Sequence, residues 1–103
     1  FASTEYLLAG LARGEWTADL LYARGELYRA RGKKGDFDIA EGIYRQAIRA
    51  DPKLAESWRG LGLVLLRQDR ASEGRKILRH YLTAAPNAGD KAIIGMMVQE
   101  PAK

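Results

Sequence analysis

The chain has 103 residues, no cysteine, one histidine and a formal net charge of +4, from 17 lysines and arginines against 13 acidic residues. That length suits one small core, and the lack of cysteine excludes a disulfide framework or a thiolate metal site without fixing the compartment. No apolar run approaches the roughly 20 residues that cross a bilayer, so membrane insertion is not expected.

In chain order, Ser3-Thr4-Glu5 offers a capping start to a first helix through about Arg13, with Tyr6, Leu7, Leu8 and Leu11 apolar. Gly14 and Glu15 break it. Thr17 caps a second helix to about Arg31, in which Leu20, Leu21, Leu27 and Tyr28 recur at helical spacing. Gly32-Lys33-Lys34-Gly35 is a turn. From Asp36, the residues Phe37, Ala40, Ile43, Tyr44 and Ala47 make the apolar stripe of a third helix, which stops at Asp51-Pro52.

A fourth helix spans about Leu54 to Arg67 with Trp58, Leu61 and Leu65, and a fifth runs from about Ala71 to Ala84. The run from Pro86 to Asp90 breaks the chain. A last helix, about Asp90 to Gln99, places Ile93, Ile94, Met96 and Met97 near one face before Pro101. Pro52 and Pro86 stand 34 residues apart, each closing an apolar-periodic segment. Such stops mark a helix–turn–helix repeat.

These residues resemble the tetratricopeptide repeat family. Trp58, Leu61, Gly62 and Pro86 fill the family's places in one unit, while Leu65, Gly74, Leu78 and Tyr81 depart from its usual residue types. In the preceding unit Ala40, Tyr44, Ala47 and Pro52 fit the second helix. Three extra residues in the turn around Gly32 to Lys34 put Leu21, Gly25 and Tyr28 in the tryptophan, glycine and tyrosine places. The fold class implied is all-α, a short α-solenoid of antiparallel helix pairs. Its expected organisation is a capping helix over 1–16, repeats over 17–52 and 53–86, and a C-terminal capping helix and tail over 87–103. The stretch Tyr6 to Leu11 is expected to cover one end, and Ile93, Ile94 and Met97 the other. Trp58 is expected in the core.

No catalytic constellation is legible. His80 alone cannot supply a zinc set and reads as a surface residue of the fifth helix. The glycines form no phosphate-cradling loop, and no cofactor or metal is expected. Asp36 and Asp38 suit a helix start, where acids complement the macrodipole. The cations are scattered along every segment, which argues for solvated faces rather than nucleic-acid binding.

What remains is a binding surface for a protein or peptide. The resemblance implies a concave face lined by the first helix of each pair, here Tyr22, Glu26 and Arg29, then Arg59, Leu63, Leu66 and Arg67. Leu63 and Leu66 would form an aliphatic floor, with arginines at the edges, suited to a short peptide or helix bearing apolar anchors and a carboxylate. The bland alternative stays open: leucines packed under the caps and arginines merely solvated. Glu26 and Leu63 stand where a chaperone-tail clamp needs asparagine, so that adaptor role is not implied.

The run Glu56 to Leu65, followed by Leu82 to Asp90, is similar to tails of certain bacterial zinc-dependent peptidases. It implies a second function class, the accessory domain of a larger enzyme, with no catalytic residue carried over. A self-associating or basic nucleic-acid-binding helical module is a third. The start at Phe1 suggests a domain cut from a longer protein, and bacterial cytoplasm or periplasm both stay open.

Overall fold

In a computed structural model, the structure describes residues 1–99, and six helices account for most of them. They are α1 (Ala2–Ala12), α2 (Ala18–Arg31), α3 (Asp36–Ala50), α4 (Ala55–Arg67), α5 (Ala71–Ala84) and α6 (Lys91–Met97). Helices α2 and α3 pack as one pair and α4 and α5 as another, and α3 lies against α4. The assembly is elongated, 48 × 30 × 21 Å. No strand occurs among the described residues. The stop expected at Pro101 lies outside them.

Local chemistry accounts for both ends of α2. The Thr17 hydroxyl accepts from the Leu20 amide at 3.3 Å, which satisfies one free donor of α2. At the other end Gly32 takes a left-handed conformation, φ 60°, and its amide bonds back to the Tyr28 carbonyl. The Ser3-Thr4-Glu5 cap is not used: α1 starts at Ala2 with Phe1 as its cap and no side-chain bond. Asp36 also departs from the plain helix-start role. It is buried, accepts from Arg31 at 2.7 and 2.8 Å and from the Lys33 amide at 2.9 Å, and so closes the α2–α3 turn.

Packing between pairs depends on Tyr44, which is fully buried on α3. A Cβ on Gly25 of α2 would sit 2.7 Å from its ring, and one on Gly60 of α4 would be closer still. The two glycines therefore let three helices meet around one aromatic. In the second pair, a Cβ on Gly62 would lie 2.6 Å from a Leu78 methyl carbon, so α4 and α5 approach closely there. Leu21, Ile43 and Ala47 fill the core of the first pair, while Leu61, Val64 and Leu65 continue it into the second.

Three expectations change. Trp58 is half-buried rather than enclosed: it packs on the Leu78–Tyr81–Ile94 cluster and against His80, ring centroids 3.9 Å apart. Its indole donates to the Pro52 carbonyl at 3.0 Å and pins the α3–α4 loop. At the N-terminal end, Tyr6, Leu7 and Leu11 face outward, and α1 docks instead through Glu5, Leu8 and Ala12. Glu5 receives bonds from Arg24 and Tyr28, each at 2.9 Å, and the Phe1 ring meets Tyr28 edge-on. At the C-terminal end Ile94 is buried, but Ile93 and Met97 are exposed. A short apolar helix has too much greasy surface for one neighbour to cover, so polar anchors decide which face turns inward.

Candidate functional site

A cavity of about 410 Å³ opens between α2 and α4, lined by Arg29, Phe37, Leu63, Leu66, Arg67 and Met97. Helical spacing explains the α4 contribution. Leu63, Leu66 and Arg67 lie three and four residues apart and share one face. The opposite face of α4, with Leu61, Val64 and Leu65, is spent on the core. Phe37 arrives from the first turn of α3 and Met97 from the end of α6.

The structure brings four residues expected on the concave face, Arg29, Leu63, Leu66 and Arg67, around this cavity. Tyr22, Glu26 and Arg59 do not line it. Tyr22 leans on the Tyr44 ring, centroids 6.2 Å apart. Glu26 accepts from Arg29 at 2.9 and 3.0 Å and also from the Tyr44 hydroxyl. Arg59 bonds to Asp90 at the start of α6, and Asp90 also accepts from the Tyr81 hydroxyl at 2.6 Å.

These pairings set the charge of the groove. Burial alone would raise the Glu26 acid, but the Arg29 and Tyr44 bonds outweigh it and hold the carboxyl below its ordinary range. Burial, reinforced by Glu26, pushes the Tyr44 phenol far up, so it stays a donor. Burial and the Asp90 carboxylate likewise push Tyr81 up to about 12. Arg29 and Arg59 are thus each matched by an acid. Arg67 is exposed, lies 5.3 Å from the Phe37 ring centroid and makes no ion pair among the described residues. Among the described residues, the three cationic edges expected reduce to one guanidinium without an acid, beside an apolar floor.

Sequence reasoning missed Phe37 and Met97. Phe37 reads as part of the α3 stripe, yet its place in the first turn lets it reach the groove between pairs. Met97 carries no signal in the chain that separates covering an end from lining a cavity. No group of three or more histidines or acids among the described residues could hold a metal. No helix among them is long and apolar enough to cross a membrane.

Among known proteins, the tetratricopeptide repeat family model matches residues 26–89. No curated protein and no solved structure matches the chain.

Proposed function

This chain belongs to the tetratricopeptide repeat family, whose repeats generally mediate protein–protein interaction, and we propose that the α2–α4 groove is its binding site. The ligand is a peptide segment or helix of a partner protein with one apolar side chain close to a single carboxylate. The apolar side chain seats on Phe37, Leu63, Leu66 and Met97, and the carboxylate meets Arg67. The observation that carries this reading is that Arg67 makes no ion pair among the described residues, while Arg29 and Arg59 already hold acids there, which leaves Arg67 as the cation to offer beside the floor. A guanidinium beside apolar surface is worth more to a carboxylate than one in open water, because fewer solvent dipoles compete.

Selection from a random peptide display library against the chain tests the proposal. Selected peptides should pair an aliphatic or aromatic residue with an aspartate or glutamate. They should lose affinity for the Leu63→Ala, Arg67→Glu double variant. Peptides that bind this variant as tightly as the parent chain would remove the groove from consideration.

A further inference from the structure

A second cavity, of about 200 Å³, opens where α3, α4 and α5 meet, and it shares no residue with the α2–α4 groove. Its walls are Ile48, Trp58, Leu61 and Ile77, with Arg45 and Arg49 beside them. Arg45, Ile48 and Arg49 lie three and four residues apart and share one face of α3. Trp58 and Leu61 share the side of α4 turned away from Leu63 and Arg67. Ile48 and Ile77 are half-buried against the Tyr44–Leu61–Leu65 core, and each leaves apolar surface toward the cavity.

We propose that this cavity is a second binding site, for a small aromatic carboxylate, independent of what the groove binds. Volume sets the size class. A dry cavity of about 150 Å³ holds benzene, so this one admits a single six-membered ring with a short acid arm. Trp58 supplies a fixed aromatic wall. His80 stacks on it, ring centroids 3.9 Å apart, and its indole N–H donates to the Pro52 carbonyl at 3.0 Å, so little order is lost when a ligand ring meets it. Charge decides the other end of the ligand. Arg45 is already held between Glu41 at 3.0 Å and Glu73 at 3.2 Å, and Arg70 also pairs with both acids, so these four charges balance. Arg49 is exposed and makes no ion pair among the described residues. It stands at the mouth of an apolar cavity with its guanidinium open to a carboxylate.

Titration of the 103-residue chain with hydrocinnamate, followed by the NMR signals of the Trp16 and Trp58 indole N–H groups, tests this. The Trp58 signal should shift and saturate, with a dissociation constant on the order of 1 mM for so small a ligand. Trp16, which packs on the Leu21–Ile43–Ala47 cluster, serves as the reference. Uncharged hydrocinnamyl alcohol should bind about tenfold more weakly. Arg49→Gln should remove that difference. Its Trp58 signal without ligand should keep its position, which separates a lost contact from lost folding. Arg67→Glu, a change in the groove, should leave the Trp58 titration unaltered. A Trp58 signal that does not saturate by roughly 20 mM hydrocinnamate overturns the proposal. So does equal affinity for acid and alcohol in the parent chain, or an Arg49→Gln chain that still prefers the acid. Binding lost in Arg67→Glu overturns it too, since the acid then belongs to the groove.

Discussion

Tyr44 on α3 donates its hydroxyl hydrogen to the carboxylate of Glu26 on α2, so one buried side chain links the hydrophobic core to the polar wall beside the groove. Its ring is wedged between two glycines, while its oxygen also accepts from Arg29 at 3.1 Å. A buried tyrosine needs such a partner, because an unmet hydroxyl costs about 1–3 kcal/mol. Packing and the charge balance of the groove therefore share a residue.

The wedge makes opposite outcomes for two glycines in helices. Gly60→Ala drives a methyl into the Tyr44 ring, which is enclosed and cannot retreat. The clash should outweigh the better helix propensity of alanine and destabilise by about 2 kcal/mol. Gly42→Ala on the exposed side of α3 meets nothing within 4 Å and should stabilise by up to about 1 kcal/mol. Urea denaturation of both variants checks the pair, and equal effects would contradict the close approach.

The carboxyl of Asp36 is held down to about 2, below its usual 3.8, chiefly by the Arg31 hydrogen bonds and then by the Lys33 amide. A folded value below the unfolded one means that folding favours the ionised form. Its contribution is therefore complete above about pH 4 and is lost as pH falls through about 2. Melting curves should show Asp36→Asn clearly less stable at pH 7, with the gap to the parent closing toward pH 2. A gap that ignores pH would show that the ion pair does not set it.

Trp58→Ala should cost about 2–3 kcal/mol, less than for a fully enclosed tryptophan, because the ring covers the Leu78–Tyr81–Ile94 cluster from outside. Loss of its bond to Pro52 should also loosen the α3–α4 loop. Hydrogen exchange should then quicken at Leu54, whose amide bonds to the Asp51 carbonyl in that loop. Unchanged exchange there would deny the pinning role.

Two arginines that look alike in the chain should behave differently. Arg59→Glu faces its new carboxylate toward Asp90 and should lower stability by about 1 kcal/mol, since the pair is partly exposed. Arg67→Glu breaks no ion pair among the described residues and should leave the melting temperature nearly unchanged while weakening an acidic peptide about tenfold. Thermal melts beside fluorescence anisotropy separate the two effects.

Ser57 is fully buried, and its hydroxyl finds no hydrogen-bond partner among the described residues. Ser57→Ala removes an unmet polar group and adds helix propensity, so it should stabilise by about 1 kcal/mol. Calorimetry of the variant reads this directly. A loss of stability would mean that the hydroxyl is satisfied in solution.

The helices, their order and their pairing were legible because each carries its own signal. Pro52 and Pro86 stop two of them, Gly32 ends one in a conformation that glycine enters freely, and the α3 stripe repeats at helical spacing. Small residues at Gly25 and Gly62 marked where backbones approach. Four of the groove residues, Arg29, Leu63, Leu66 and Arg67, followed from the resemblance to the repeat family, which implies that the first helix of each pair lines the concave face.

Tertiary structure alone decided the rest, because it depends on partners distant in the chain. Asp90 neutralises Arg59 across 31 positions, and no pattern along α4 announces it. Phe37 and Met97 reach one cavity only once α3 and α6 are stacked. In α1, apolar residues lie all around the helix, so periodicity could not say which face would be buried. Glu5, held by Arg24 and Tyr28, turned that helix and left Tyr6, Leu7 and Leu11 in the open.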